Sequence, residues 1–244
     1  MTHGHARICR GCWDQIRVPV PLRGALSIPF RVFGIRPSRM NPDTCTICEL
    51  GFKTVMRARK VTIDATVLFA DLRGYTALST SISGDAISSL LDEFYDECGA
   101  AIWNHDGLLN KTIGDAVMAV FNFPIRNEGH ARQAVLAARE IQRRWTARRA
   151  DLAAAAGVAA TELGVGIGIQ TGELSFGEFG RTHRDVTAIG TVVNTAARAQ
   201  AAADAGQILV TQAVRDRAPD ELAGSRANAY RLKGFDAPLE LYAA

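Results

Sequence analysis

The stretch VTIDATVLFADLRGYTALST, residues 61–80, constrains this chain more than any other. It runs an apolar segment directly into Asp71 and then into Gly74, so a buried strand has to end on a carboxylate and a turn. A second segment, NKTIGD, delivers Asp115 beside Gly114. Either aspartate alone needs no more than turn hydrogen bonds next to its glycine. Two of them at strand ends can meet in one cleft, where paired oxygen donors hold divalent metal.

The 244 residues are 48% hydrophobic, enough for one substantial core and an appendage. No apolar run reaches the ~20 residues needed to cross a bilayer. The most apolar early stretch, VPVPLRGALSIPFRVFGI, is broken by Pro19, Pro21, Arg23 and Pro29 and suits neither a spanning helix nor a secretory leader. A cytoplasmic protein is expected. The net charge of +3 conceals a division: residues 1–60 carry 11 Lys+Arg against 3 Asp+Glu, a balance of +8, whereas residues 61–244 carry 17 against 22, a balance of −5. The expected organisation is a module over 1–50, a linker over 51–60 and a larger domain over 61–244. A basic arm of this kind serves nucleic acid or a membrane surface, or is simply solvated.

Four of the five cysteines form two CxxC pairs, Cys9 with Cys12 and Cys45 with Cys48. Each pair presents two thiolates and a tetrahedral ion takes four, so the set predicts a metal centre, with zinc favoured and an iron-sulfur cluster as the alternative. His3 and His5 read as terminal residues rather than ligands. The prolines between the pairs predict an irregular module held by its ion. The segment ELGFKTVMRARK, residues 49–60, can form a short joining helix.

Beyond the first strand, Ile87, Leu90, Leu91, Phe94, Cys98 and Ile102 recur at steps of three and four and predict a buried helical face over about 83–103, with Cys98 as a core residue. LLNKTIGD and AVMAVFNF predict two strands around Gly114. Residues 128–150 predict a second helix, with Ala131, Ala134, Val135, Ala138, Ile141 and Trp145 inward and arginines 139, 143, 144, 148 and 149 on a wet face. In LGVGIGIQTGELSFGEFG, Gly164, Gly166 and Gly168 leave one strand face bare, so something packs close to it. The stretch lacks GxGxxG, and GxxxxGK[ST] is absent from the chain, which excludes dinucleotide-fold and P-loop readings. A third helix follows Gly190, then a strand at QILV and a strand pair near Tyr230–Lys233 and Leu239–Tyr242. The order β, α, β, β, α, β is that of an α+β, ferredoxin-like palm (βαββαβ).

Together, FADLRGYT, NKTIGDAVMAVF, GVGIGIQTGEL and TAIGTVVNTAAR resemble the catalytic domain of class III nucleotidyl cyclases over about residues 60–243, and most resemble the bacterial subgroup with threonine at the second base-reading position. The resemblance implies that Asp71 and Asp115, with the Leu72 carbonyl, bind two Mg²⁺ (or Mn²⁺). It implies that Asn194 orients the ribose and Arg198 meets charge on the α-phosphate; the two are four apart and share a helix face. Lys233 then contacts the β- and γ-phosphates, and Gly74, Tyr75 and Thr76 lie in the substrate-binding turn. Arg184 is an extra phosphate ligand in a segment whose usual arginine position holds His183. Lys111 and Thr187 read the base. A lysine donor to N1 and a threonine oxygen accepting from the 6-amino group suit ATP, making cyclic AMP and pyrophosphate, whereas guanylyl cyclases tend to have Glu at the Lys111 position. GTP or a pyrimidine triphosphate is the alternative substrate. The resemblance further implies a homodimer with two shared sites, in which Lys111 and Asp115 serve opposite sites. The competing reading is a nucleic-acid-binding regulator with a nucleotide-sensing domain. The joint presence of Asp71, Asp115, Asn194 and Arg198 makes nucleic acid the less expected partner, since a sensor needs no complete catalytic set.

Overall fold

The computed structural model describes residues 6–80, 82–156, 159, 163–180, 182 and 184–244. Strand β1 (Val61–Arg73) is the centre of a sheet that also contains β2 (Leu108–Ile113), β3 (Ala116–Phe121), β4 (Gly164–Phe179), β6 (Ile208–Thr211), β7 (Ala227–Tyr230) and β8 (Leu239–Ala243), in the order β2-β3-β1-β4-β6-β8-β7. β3 and β4 both run antiparallel to β1, and β2 runs antiparallel to β3. The segment β1-α5-β2-β3-α6-β4 is therefore the split βαβ palm, with α5 (Gly84–Asn104) and α6 (His130–Ala156) as its crossovers.

The run Ala65–Ala70 is buried on both faces because helices cover one side of the sheet and α7 (Thr191–Ala202) with α3 (Thr46–Ala58) cover much of the other. On the first side, Phe94, Cys98 and Ile102 of α5 meet Val135, Ala138, Ile141 and Trp145 of α6, as their spacing predicts. The arginines of α6 depart from a merely wet face. Arg144 bridges Glu97 at 2.9 Å and Glu140 at 2.7 Å, Arg148 pairs with Glu93, and Arg139 pairs with Glu221 at 2.8 Å. Apart from Glu140, which is one turn away on α6 itself, these partners are remote in the chain and clamp α6 to α5 and to the turn at Asp220–Leu222.

Two elements escape the periodicity. β5 (Asp185–Ile189) pairs with the far end of β4, and α8 (Gln212–Arg217) follows β6 directly. The last hairpin is also shifted: β7 ends at Tyr230, which leaves Lys233 exposed in the turn before Gly234. The short α4 (Tyr75–Ser79) starts at Gly74, whose φ of 82° makes the turn off β1 one that favours glycine.

Residues 6–58 contain α1 (Arg10–Ile16), α2 (Ile28–Val32) and α3, with Cys9 capping α1 and Cys45 capping α3. α3 crosses the expected 50/51 boundary without a break. Its first turn holds Cys48, and its later turns place Phe52 and Met56 against Phe123 and Phe176 of the larger domain. Asn41 Nδ2 donates to the Gly107 carbonyl at 3.1 Å and Trp103 Nε1 to the Met40 carbonyl at 2.8 Å.

Candidate active site and cysteine centre

Asp71 and Asp115 come together because β1 and β3 pair in a register that sets Asp71 opposite Ala116. The Leu72 amide donates to the Asp115 carbonyl at 3.1 Å, which fixes the turn carrying Asp115 against the end of β1. Tyr95 on α5 donates its hydroxyl to the Gly114 carbonyl in the same turn. Burial first, and the Asp115 charge second, push the Asp71 carboxyl up to about 6, against the opposing pull of Arg73 and a Gln200 hydrogen bond. A pair of carboxylates that repel one another in a partly dry corner is suited to a cation, and Asp71, Asp115 and the Leu72 carbonyl supply oxygen donors of the hard kind that Mg²⁺ takes.

Two partners of Asp71 were not legible as site residues. Gln200 Nε2 donates to Asp71 Oδ2 at 2.9 Å, and Arg73 Nη1 lies 3.2 Å from the same oxygen while its Nη2 bonds the Gln200 carbonyl. The bare face of β4 makes both contacts possible. A Cβ on Gly166 would fall 2.3 Å from the Arg73 guanidinium, and one on Gly168 would fall 2.0 Å from the Gln200 amide nitrogen. The glycine alternation thus admits α7 and Arg73 against the sheet beside Asp71, the close approach expected of it.

Asn194 and Arg198 are exposed on α7, on the face away from buried Thr195, Ala199 and Gln200. Gln200, the α7 residue that bonds Asp71, is buried, whereas Arg198 two positions earlier is exposed on another face of the helix. One chain therefore brings together the two aspartates, and separately presents Asn194 and Arg198 one helical turn apart. Thr76 is exposed and Tyr75 half-buried just after Gly74. Arg184 reaches Glu178 at 3.3 Å rather than standing free, and His183 lies outside the described residues, as do His3 and His5.

Lys111 and Thr187 meet through the return of β5 to β2. Lys111 forms an ion pair with Asp185. Thr187 Oγ1 donates to Asn110 Oδ1 at 3.1 Å, and Asn110 Nδ2 donates to the Val186 carbonyl at 3.1 Å. The second bond orients the amide, and the Ala188 carbonyl, 3.4 Å from Thr187 Oγ1, is a further acceptor, so the threonine proton faces two protein acceptors and the lone pairs of Thr187 are what remain for a ligand. Asn110 and Asp185 flank predicted residues directly, yet nothing in their own spacing marked them.

In the cysteine centre, Cys9, Cys12, Cys45 and Cys48 converge with all four sulfurs within 4.8 Å of one another. Cys12 Sγ lies 3.4 Å from Cys48 Sγ and 3.6 Å from Cys45 Sγ, and Cys9 lies 3.6 Å from Cys48. A tetrahedron with metal–sulfur bonds of about 2.3 Å has edges of about 3.8 Å, so this spacing fits one ion. A cluster, whose cysteines bind different iron atoms, needs its sulfurs further apart. Both pairs repeat one local bond, Cys12 N to Cys9 Sγ and Cys48 N to Cys45 Sγ, each at 3.4 Å, and the Cys45 amide adds a second to Cys9 at 3.2 Å. These donors stabilise thiolate. The Cys9 thiol is drawn down to about 5, chiefly by its bond to Cys48, whose own thiol is pushed up. Gly11 keeps the centre tight, since a Cβ there would sit 2.9 Å from Cys48 Sγ.

This palm, with its two strand-end aspartates, is a framework suited to metal-assisted chemistry on nucleotides. Residues 58–243 match the family described as the adenylate and guanylate cyclase catalytic domain, and the chain belongs to that family. It is 30% identical over 208 residues to an adenylate cyclase of Anabaena cylindrica, which covers 83% of this chain and 41% of that protein. It is 28% identical over 182 residues to adenylate cyclase 1 of Rhizobium meliloti, covering 73% and 27%. The chain thus spans well under half the length of these curated relatives. Among solved structures, the adenylyl cyclase CyaB from P. aeruginosa superposes with a TM-score of 0.69 at 29% identity, over 76% of this chain and 95% of that one. The guanylyl cyclase Cya2 gives 0.67 at 25%, over 75% and 92%. No helix among the described residues is long and apolar enough to cross a membrane.

Proposed function

We propose that this chain is an adenylate cyclase of the threonine-type bacterial subgroup, converting ATP to 3′,5′-cyclic AMP and pyrophosphate. Residues 61–244 form the catalytic unit and residues 1–50 a zinc module. Asp71, Asp115 and the Leu72 carbonyl hold two Mg²⁺ (or Mn²⁺). When bound, these ions lower the pKa of the ribose 3′-hydroxyl and neutralise the leaving pyrophosphate. Asn194 orients the ribose, and Arg198 meets the charge that grows on the α-phosphate in the transition state. Lys233, Arg184 and the turn at Gly74, Tyr75 and Thr76 bind the triphosphate.

The observation that carries ATP over GTP is the bond from Thr187 to Asn110. A threonine hydroxyl can donate or accept, but with its proton shared between Asn110 Oδ1 at 3.1 Å and the Ala188 carbonyl at 3.4 Å it is left to accept. That suits the 6-amino group of adenine and repels the 6-carbonyl of guanine. Lys111 supplies the donor to N1 once it leaves Asp185. The exposure of Asn194 and Arg198 on a face of α7 other than the one whose Gln200 bonds Asp71 supports a homodimer in which each site takes its metal ligands from one chain and its Asn194–Arg198 pair from the other. Four sulfurs at the spacing of one tetrahedral ion support zinc in the module.

The test is product identification. Purified chain is incubated with ATP, GTP, CTP and UTP in Mn²⁺ and the products are resolved by mass spectrometry. Cyclic AMP as the dominant product is expected; cyclic GMP, CMP or UMP in excess would replace the substrate assignment, and no cyclic product with any nucleotide would overturn the function.

A further inference from the structure

The module presents apolar surface that the catalytic domain does not use. Among the described residues, eleven exposed large hydrophobic side chains lie between Ile8 and Val55 and three lie beyond them. The most exposed are concentrated in one projecting segment: Leu26 is 78% exposed, Ile28 61%, Val32 79% and Phe33 83%. Gly24 and Gly34, at φ of 83° and 77°, bracket it. Inside the bracket, the turn Ala25–Ser27 packs against α2, and Ile28 and Val32 share one face of that helix, four residues apart. The opposite side of the segment is anchored, because Phe30 and Ile35 pack onto the cysteine centre. The module is therefore a metal-held base carrying an outward apolar tip.

Charge selects what the tip meets. Between Asp14 and Asp43 the chain has Arg17, Arg23, Arg31, Arg36 and Arg39 and no acidic residue. Arg31 and Arg36, beside the tip, form no ion pair with any described residue. A twofold contact of tip on tip would bring these arginines against their own copies with no carboxylate to relieve them. Nucleic acid would use the arginines and leave the aliphatic tip in water. A surface that is apolar in its interior and anionic at its face satisfies both.

We propose that residues 24–36 are a peripheral membrane anchor: Leu26, Ile28, Val32 and Phe33 enter the headgroup and acyl boundary, and Arg31 and Arg36 meet anionic lipid. The anchor is independent of which nucleotide the catalytic domain takes. It is tested by co-sedimentation of the full, metal-loaded chain with vesicles of equal parts phosphatidylglycerol and phosphatidylcholine, and with vesicles of phosphatidylcholine alone. Binding to the mixed vesicles is expected, weakened by added salt, with an affinity about tenfold lower for Val32→Asp/Phe33→Asp and for Arg31→Glu/Arg36→Glu. Both doubles alter exposed side chains, and metal content and melting temperature report that each is folded. If Val32→Asp/Phe33→Asp misfolds, the charge-reversal pair provides the readout. Absence of vesicle binding overturns the anchor, as does wild-type binding by both variants. Self-association without vesicles that is lost in Val32→Asp/Phe33→Asp, in a chain that ignores lipid, would make a second copy the occupant. Duplex DNA binding sensitive only to the arginine changes would make it nucleic acid.

Discussion

The cysteine centre and the aspartate corner both gather anionic donors, but they are finished to different degrees. Four sulfurs converge within 4.8 Å, braced by three amide donors, and the chain itself supplies a closed tetrahedral set. Asp71 and Asp115 offer two carboxylates, which would leave other positions of a divalent ion open, while Arg198 is exposed on a face of α7 other than that of Gln200, which bonds Asp71. A closed set belongs to an ion that holds structure and an open one to an ion that does chemistry. The difference predicts opposite consequences for losing a ligand.

The sharpest contrast is in activity. Asp71→Ala and Asp115→Ala are each expected to lower cyclase turnover by at least about 10³-fold, since they remove charge stabilisation present only when the phosphoryl group transfers. The melting temperature of Asp71→Ala should not fall, because burial and the Asp115 charge hold the Asp71 carboxylate at a cost in the metal-free fold. A mutant of either kind that unfolds would erase the distinction between the two centres. Incompleteness of the corner can be tested directly. Asp71→Ala and Asn194→Ala chains, inactive separately, should recover about a quarter of wild-type activity when mixed equally, because half the dimers are mixed and each has one of two sites intact. No recovery in verified mixed dimers would reject shared sites.

How much of each centre was legible follows from how local its determinants are. The CxxC spacing and the strand-end aspartates are written within a few residues, as are the glycines of β4 that turn out to admit α7. Gln200 and Arg73 could not be read, since Gln200 reaches Asp71 across 129 positions and Arg73 reaches the Gln200 carbonyl across 127. β5 is five residues long and partly exposed, and it declares itself only by pairing with β4. Arg139, Arg144 and Arg148 looked solvated because their partners beyond α6 are Glu221, Glu97 and Glu93, which helical periodicity cannot connect to them.

Asn110 is the unforeseen residue with the clearest consequence. Asn110→Ala leaves the Thr187 hydroxyl only the longer bond to the Ala188 carbonyl, at 3.4 Å, so its proton turns more readily to a carbonyl of the base. The ratio of kcat/KM for ATP to that for GTP should fall about tenfold, with total activity less affected. An unchanged ratio would remove Asn110 from specificity. Cys9→Ser and Cys45→Ser should instead leave the nucleotide ratio untouched, lower the metal content found by elemental analysis, and lower the melting temperature by about 10 °C. Full metal content in both variants would break the four-sulfur assignment.

The smallest effect separates the centres by their protons. The Asp71 carboxyl titrates at about 6 in the fold against 3.8 as its ordinary value. Between those values the folded chain holds a proton that the unfolded chain has released, so this group stabilises the metal-free fold below about pH 4. That stabilisation is lost as pH rises through about 6, for a change of about 3 kcal/mol at most. His130 works in the opposite sense. It is buried between Thr66, Asp64 and Arg217, burial lowers its affinity for a proton, and stability falls as pH drops below 6.5. The two slopes overlap, so wild-type stability alone does not separate them, but Asp71→Asn deletes the first and keeps the second. The difference in unfolding free energy between Asp71→Asn and wild type, measured in chelator, should therefore grow in favour of the variant from pH 4 to pH 7. Mn²⁺ replaces the proton only where the carboxylate is ionised, so its stabilisation of the wild type should be small at pH 5, large at pH 7.5 and absent in Asp71→Asn. A Mn²⁺ effect that survives in Asp71→Asn would come from Asp115 or from the cysteine centre, and its persistence when Asp71→Asn and Asp115→Asn are combined with Cys9→Ser would leave neither centre as the site of divalent binding.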